Sequence, residues 1–156
     1  MARSLAWKII RRLVRWRFLG IRFISTEALA TWLTQPNPPV LLDVRDAEEF
    51  AVSHLPNAHH APTLDAVRHL PIETNTPIVA YCSVGYRSAQ FVQQLQDAGF
   101  SQAMNLEGSI FQWANEGRSL VRDRQPVQAV HPYAAVWKVL LHPSVQQEMG
   151  DRSRKL

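Results

Sequence analysis

A five-residue run from Pro77 to Tyr81 ends one position before the only cysteine in the 156-residue chain, Cys82. Short apolar runs of this kind are typical of strands that are buried on both faces of a parallel sheet. The segment after the cysteine, from about residue 88 to residue 98, has helical periodicity and predicts a helix. The sequence therefore places Cys82 on a short loop between a buried strand and a helix N-terminus.

This loop has the composition of a nucleophilic, anion-binding site. Unpaired backbone N–H groups at a helix N-terminus favour the thiolate form of a cysteine, which is its nucleophilic form. Gly85 permits a backbone conformation that a Cβ atom would forbid, and the guanidinium of Arg87 suits an oxyanion such as a sulfonate. Ser88 is expected to cap the helix and to donate to the cysteine sulfur. We therefore predict that Cys82 and Arg87 are catalytic and that the substrate is bound by Ser83, Val84, Gly85, Tyr86 and Ser88.

Strand-like and helix-like segments alternate along most of the chain. Strands are predicted at 21–24, 40–44, 59–62, 77–81 and 101–104, and helices at 26–33, 46–51, 64–70, 88–98 and 109–115, with a turn at 105–108. This alternation predicts an α/β fold with a mostly parallel central sheet flanked by helices. Ligands of such sheets bind beyond the carboxyl ends of the strands, where Asp43 and Cys82 both fall.

Charge and composition divide the chain into three segments. Residues 1–20 predict a basic amphipathic helix, residues 21–122 an α/β domain, and residues 123–156 a helical extension with a charged tail. The extension is expected to contain a helix over 132–141, and the tail over 150–156 is expected to be mobile. A single cysteine excludes an internal disulfide and suits a reducing compartment, so we expect a cytoplasmic protein.

The N-terminal segment carries the positive charge of the chain. Residues 1–22 hold seven of the 17 Lys and Arg residues and no Asp or Glu. A helical projection of residues 4–19 gives one broad apolar face, which includes a tryptophan, and an opposite basic face. Three interpretations stay open: a helix lying peripherally in an anionic membrane surface, a helix docked on its own domain or on a protein partner, and a cleaved presequence.

Two further classes are weighed for the same segment. Its apolar positions are interrupted by arginines, so it contains neither a membrane-spanning run nor the core of a secretory signal. Basic residues interleaved with aromatic ones also permit contact with RNA. Phosphate binding would leave the apolar face of the helix unexplained, so nucleic acid is the less favoured partner.

Four motifs between residues 24 and 120 resemble those of single-domain rhodaneses, which are sulfurtransferases. The motifs are Leu42-Asp43-Val44-Arg45 with Glu49-Phe50, then His54-Leu55-Pro56-Asn57-Ala58, then Tyr81 to Ser88, and last Asn105-Leu106-Glu107-Gly108-Ser109 with Trp113. Each motif is weak alone, but their order and spacing make the joint resemblance strong. Ser53 and Asn57 stand where the family often has glycine. Because asparagine tolerates a left-handed backbone, we expect the turn to be kept.

The resemblance implies a two-step sulfur transfer without a cofactor or a metal. Cys82 would take the outer sulfur of a donor such as thiosulfate, become a persulfide, and pass the sulfur to cyanide or a thiol. The related cysteine phosphatases separate their cysteine and arginine by five residues, whereas Cys82 and Arg87 are separated by four, which favours sulfur. The alternatives are a buried inert cysteine, or a rhodanese-like binding or regulatory module held on a membrane or partner by its N-terminal helix.

Three residues outside the loop are expected to support it. Asp43 is predicted to accept hydrogen bonds from loop N–H groups, and Arg45 to pair with an acid and line the entrance. Glu107 is predicted to bind loop N–H groups or to pair with Arg87. Trp113 is expected to lie in the core. The histidines lack a partner cysteine and ligand-like spacing to acids, so no metal site is predicted at His54, His59 or His60.

Overall fold

The computed structural model describes residues 1–147, and its centre is a five-stranded parallel sheet. The strands are β1 (Arg22–Ile24), β2 (Val40–Asp43), β3 (His59–His60), β4 (Ile78–Tyr81) and β5 (Ala103–Leu106), in the order β1-β5-β4-β2-β3. All four pairings within this sheet are parallel, which confirms the predicted fold class. A separate antiparallel hairpin of β6 (Leu120–Arg122) and β7 (Gln125–Val127) crosses the predicted boundary at residue 122.

Helices cover both faces of the sheet. They are α1 (Ala2–Arg17), α2 (Thr26–Trp32), α3 (Ala47–Val52), α4 (Leu64–Arg68), α5 (Tyr86–Asp97), α6 (Ser109–Asn115) and two 3-10 helices, Ala135–Leu140 and Pro143–Val145. Alternate strand residues point to opposite faces. Leu41 and Val79 therefore join one apolar core with α2 and α6, whereas Leu42 and Ile78 join a second core with α4 and α5.

The sheet brings the predicted site residues to one edge. Asp43 and Tyr81 are register partners at the ends of the neighbouring parallel strands β2 and β4. Cys82 follows Tyr81 directly, so the cysteine loop lies at the carboxyl edge of the sheet, as expected for a ligand site in this architecture.

Strand β5 lies two residues later than predicted. It covers 103–106, so Asn105 and Leu106, which were expected in a turn, are fully buried strand residues. Asparagine is unusual in a buried strand, but the Asn105 side chain is satisfied: its Nδ2 donates to Gly85 O at 2.9 Å and its Oδ1 accepts from Ser88. The hydrogen-bond partners of a buried amide cannot be recognised from the sequence pattern alone.

The α-helix predicted over 132–141 is wrong. That segment contains only the six-residue 3-10 helix Ala135–Leu140, which is referred to below as the C-terminal 3-10 helix. Tyr133 has a positive φ of 65°, and Ala134 is extended, so a regular helix cannot start at Pro132. The mobile tail predicted over 150–156 lies outside the described residues.

Helix α1 is docked on the domain through a different face from the one projected. Trp7, Val14 and Phe18 are buried, with Trp7 in one core and the other two in the second. Four other apolar residues of α1 form an exposed row, which is referred to below as the outer stripe: Leu5, Ile9, Leu13 and Trp16. The apolar residues thus divide between an inner and an outer face. Within residues 1–147, no helix has the length and apolar character needed to cross a bilayer.

Candidate active site

The backbone of the cysteine loop is fixed by the start of α6. The N–H of Cys82 donates to Ser109 Oγ at 3.2 Å, and the N–H groups of Ile110 and Phe111 donate to the carbonyl oxygens of Cys82 and Ser83. Two of the loop carbonyls are therefore engaged by α6, while the N–H of Gly85 reaches the cysteine sulfur.

Two polar groups lie next to the cysteine sulfur. The N–H of Gly85 donates to Cys82 Sγ at 3.1 Å, and the hydroxyl of Ser88 lies 3.4 Å from the same atom. Gly85 adopts φ = 106°, which L side chains rarely adopt, so the predicted need for glycine at this position is explained. The Ser88 hydroxyl donates its proton to Asn105 Oδ1 at 2.6 Å, and this bond holds the hydroxyl oxygen beside the sulfur.

Helix α5 begins earlier than the sequence suggested. Its first residue is Tyr86 and its N-cap is Gly85, so the predicted capping role of Ser88 is wrong. Ser88 instead lies inside the first turn of the helix, fully buried, where its side chain reaches the sulfur. Four residues do separate Cys82 from Arg87, and the α5 N-terminus points at the loop.

Arg87 does not present a free guanidinium to the site. Its Nη1 and Nη2 donate to Glu49 Oε2 and Oε1 at 2.9 and 2.8 Å, and Nη2 also donates to Ser83 Oγ. Burial alone would raise the pKa of Glu49, but the hydrogen bonds and charge of Arg87 hold that pKa below its usual value. Burial likewise opposes the charge on Arg87, but the bond to Glu49 and the nearby Cys82 raise its pKa. The role of Arg87 in binding an oxyanion stays a prediction, and in this structure its guanidinium is paired with the buried carboxylate of Glu49.

Sequence reasoning did not select Glu49. It is the third residue of α3, 2% exposed, and part of a capping box in which its carboxylate accepts from the Asp46 N–H at 2.9 Å. The sequence signal that could have drawn attention to Glu49 is an acidic residue three positions after an aspartate N-cap, which is the pattern of a capping box. That pattern predicts a helix start but not the ion pair with Arg87.

Asp43 and Arg45 form a second buried pair, and it does not contact the cysteine loop. Arg45 Nη2 donates to Asp43 Oδ2 at 2.7 Å, both side chains are 0% exposed, and the Arg45 N–H also donates to Asp43. The predicted bonds from loop N–H groups to Asp43 are therefore wrong, and Arg45 does not line an entrance. Arg45 also donates to Ser53 O at 2.7 Å, which ties the following turn to β2.

Glu107 supports α1 rather than the loop. Its carboxylate accepts two hydrogen bonds from Arg15, so the predicted pairing with Arg87 is wrong. Tyr86 projects outward at 40% exposure and packs edge-to-face on Phe18, the residue after α1. The site is thus bordered by α1, which sequence reasoning had treated as a separate segment.

The motif turn and its histidines have structural contacts. Asn57 has the expected positive φ, 62°, whereas Ser53 is extended and needs no glycine. His54 stacks on Phe50 with ring centroids 3.8 Å apart, and His60 Nε2 lies 2.7 Å from the carbonyl oxygen of Arg45. Among residues 1–147, no group of three or more His, Cys, Asp or Glu side chains is placed to hold a metal ion. Trp113 is buried in the core, as predicted.

A cavity of about 340 Å³, which is referred to below as the loop pocket, opens over Cys82. Its floor is the cysteine loop and the start of α5, and its walls come from α1 and the C-terminal extension. The lining residues are Ile10, Leu13, Val14, Cys82, Ser83, Val84, Tyr86, Arg87, Tyr133 and Trp137. A larger cavity of about 810 Å³ lies elsewhere, near Trp113 and β2, and contains no nucleophilic cysteine. Of these two cavities, the loop pocket is therefore the one that lies at the cysteine loop.

Comparisons with known proteins agree on one family. The model of the rhodanese-like domain matches residues 25–116. A sulfurtransferase of Allochromatium vinosum is 32% identical over 99 residues, which are 63% of this chain and 92% of that protein. The crystal structure of a rhodanese-like domain protein from Staphylococcus aureus has a TM-score of 0.58 and 30% identity, and covers 66% of this chain and 99% of its own.

A match to a longer relative is confined to one part of it. A protein of Mycobacterium tuberculosis named probable adenylyltransferase/sulfurtransferase is 33% identical over 98 residues, which are 60% of this chain but only 24% of that protein. Helix α1 and the C-terminal 3-10 helix both lie outside the family-matched segment 25–116. Two of the walls of the loop pocket are therefore additions to the common domain.

Proposed function

This chain belongs to the rhodanese-like domain family, and from that membership we propose that it transfers sulfane sulfur through a persulfide on Cys82. The observation that carries the proposal is the Gly85 N–H, at the start of α5, which donates to the cysteine sulfur at 3.1 Å. Donors at fixed positions stabilise negative charge that develops on a reacting atom. The sulfurtransferase relative that the chain covers almost completely supports the same class of reaction.

The first step loads the enzyme. The Cys82 thiolate attacks the outer sulfur of a donor such as thiosulfate, and a new bond forms between Sγ and that sulfur. The S–S bond of thiosulfate breaks, and its electron pair leaves with sulfite. The negative charge that was on Sγ ends on the terminal sulfur of the persulfide, within the loop that Gly85 and Ser88 border.

The second step removes the terminal sulfur from the Cys82 persulfide. A thiolate or cyanide attacks the terminal sulfur, the S–S bond of the persulfide breaks, and its electron pair returns to Cys82 as thiolate. The products are an acceptor persulfide or thiocyanate. No external oxidant or reductant is needed, because sulfur moves between two nucleophiles without a net change in electrons.

Intact-protein mass spectrometry tests this proposal. After incubation with thiosulfate or an organic sulfane donor, the protein should gain the mass of one sulfur atom, and cyanide should remove it. Cys82→Ser should gain nothing, because a hydroxyl at this position cannot form the persulfide. If no donor adds sulfur to the wild-type protein, the chain is a rhodanese-like binding module and the proposed activity is wrong.

We further infer that the domain associates with an anionic membrane surface through α1. In the outer stripe, Ile9 is 59% and Trp16 is 71% exposed. A helical projection with 100° per residue places Lys8 and Arg12 along one side of this stripe. An apolar stripe bordered by basic residues, in a segment without acids, complements lipid headgroups of negative charge. This location would be peripheral, because α1 is also docked on the domain through Trp7 and Val14.

Vesicle sedimentation tests the association. The full chain should sediment with vesicles that contain phosphatidylglycerol, should stay in solution with phosphatidylcholine alone, and should be released by salt. Ile9→Gln should weaken binding severalfold, whereas Val136→Gln, at a valine of the C-terminal 3-10 helix that is 73% exposed, should not. If the chain ignores anionic vesicles, the membrane proposal is wrong and the stripe fits a protein partner instead.

A further inference from the structure

The loop pocket is walled by apolar groups that the common domain does not supply. Ile10 and Leu13 of α1 approach from one side, and Tyr133 and Trp137 of the C-terminal extension approach from another. All four lie outside the segment 25–116 that matches the family. Trp7 Nε1 donates to Leu140 O at 3.2 Å, so the two walls are also bonded to each other.

The pocket offers little to an anionic substrate. Of the described residues that line it, Arg87 is the only one with a basic side chain, and both oxygens of Glu49 occupy its guanidinium. The hydrogen bonds and charge of Arg87 keep Glu49 ionised despite burial, so the pair as a whole is neutral. The ring of Tyr133 lies over the guanidinium carbon at 4.2 Å and covers one face of it. A dianion such as thiosulfate would find no unpaired positive charge here.

From these two observations we propose that the substrate of this site is an organic sulfane sulfur compound, R–S–SH or a thiosulfonate R–SO₂–S⁻, whose R group is apolar. The R group lies between Leu13 and Trp137, and the sulfane sulfur lies over Cys82. The inference rests on the proposed sulfur transfer and names its substrate class. A volume of about 340 Å³ is at the small end of ligand pockets and has room for a benzene ring together with the sulfur atoms.

The loading step balances for both forms of the donor. With R–S–SH, the Cys82 thiolate bonds to the outer sulfur, the S–S bond breaks, and the leaving thiolate takes the proton, giving Cys82–S–S⁻ and R–SH. With R–SO₂–S⁻, the same attack releases the sulfinate R–SO₂⁻. In the thiosulfonate, R takes the place of one oxygen of thiosulfate, so a series of thiosulfonate donors isolates the contribution of R.

The experiment compares thiosulfate, methanethiosulfonate and benzenethiosulfonate as donors to the full chain, with cyanide as acceptor. We expect kcat/KM for the benzene donor to exceed that for the methane donor by about tenfold or more, because a buried ring removes more apolar surface from water. Thiosulfate should be the poorest of the three. Rates of the same donors with a small thiol in solution correct for the leaving group.

A matched pair of variants separates the pocket from the chemistry. Leu13→Gln should lose most of the preference for the benzene donor, because Leu13 lines the pocket. Leu19→Gln changes another exposed leucine next to α1 that does not line it, and should keep the preference.

The outcomes separate the two proposals. If thiosulfate equals or exceeds the benzene donor, or if the two variants behave alike, the substrate class is wrong while sulfur transfer stands. If no donor loads Cys82, both proposals fall together.

Discussion

Arg87 and Glu49, 38 residues apart in the chain, are held as a two-bond ion pair directly beside the cysteine loop. Ser83 completes the arrangement, since its hydroxyl donates to Glu49 Oε1 and accepts from Arg87 Nη2. The loop is thus tied to the start of α3 as well as to α6. The arginine that the sequence assigns to anion binding acts in this conformation as a neutralised anchor of the loop.

Replacing Glu49 by glutamine should redirect the site toward anions. Glu49→Gln keeps the shape of the side chain but leaves the Arg87 charge unpaired, so thiosulfate should gain severalfold in kcat/KM relative to benzenethiosulfonate. The same change should lower the free energy of unfolding by about 2 kcal/mol, because a charge-assisted pair of hydrogen bonds is weakened. Steady-state kinetics and urea unfolding measure the two effects. Glu48→Gln, at the exposed neighbour, should change neither.

The stability of the protein should fall in acid because of Glu49. Its folded-state pKa lies below the usual carboxyl value of 4.5, although burial opposes the shift, because Arg87 stabilises the carboxylate. A lowered carboxyl pKa contributes stability that is complete above pH 4.5 and is lost as the pH falls through the folded-state value. Urea midpoints measured from pH 7 down to pH 3 should show this loss in the wild type. If Glu49→Gln shows the same loss as the wild type, the assignment to this pair is wrong.

The local pattern was enough to find the cysteine loop. An apolar strand, a glycine and a helical repeat are adjacent in the sequence, and each acts through its own backbone, so Cys82 and Gly85 were placed correctly. The sheet followed for the same reason, because strand and helix periodicity are local properties. The error of two residues in β5 arose where one buried amide, that of Asn105, found partners on α5 and its N-cap.

Contacts between distant segments could not be predicted. Glu49 meets Arg87 only because α3 packs beside the start of α5, and Arg15 meets Glu107 only because α1 lies next to the residue that follows β5. No spacing rule connects these residues, since the sequence pattern determines which faces are apolar but not what covers them. The apolar face that was projected for α1 is wrong for this reason. Trp7 is buried in the core, whereas Trp16 is exposed to solvent.

Replacing Gly85 should affect both the stability of the protein and the chemistry of the cysteine loop. An added Cβ would meet its nearest neighbours at 3.6 Å, an ordinary contact, so the cost of Gly85→Ala comes from its φ of 106°. We expect a loss of about 1–2 kcal/mol in the free energy of unfolding. Because the Gly85 N–H donates to the sulfur, the Cys82 persulfide should also decay faster, which timed mass spectrometry would measure. Gly20→Ala, with no atom within 4 Å, is the matched control and should alter neither property.

Trp7 should determine whether α1 closes the loop pocket. Its ring is 7% exposed in the core, and its Nε1 donates to Leu140 O, so it fastens α1 to the C-terminal 3-10 helix. Trp7→Ala should cost about 3–5 kcal/mol, since it removes a buried aromatic ring, and Trp7→Phe about 1–2 kcal/mol, since it removes the hydrogen bond and part of the ring system. Trp16→Ala, at a tryptophan of the same helix that is 71% exposed, should stay within about 0.5 kcal/mol of the wild type.

Hydrogen exchange reveals whether this cost is local. With Trp7→Ala, the amides of α1 should exchange much faster than those of β4 and α5, because α1 lies outside the common domain and loses its main anchor. The preference for benzenethiosulfonate should decrease in parallel, since Ile10 and Leu13 reach the pocket only while α1 is docked. If the amides of α1 lose protection from exchange but the donor preference is kept, α1 does not contribute to that preference. The substrate class is then determined by the other wall, Tyr133 and Trp137.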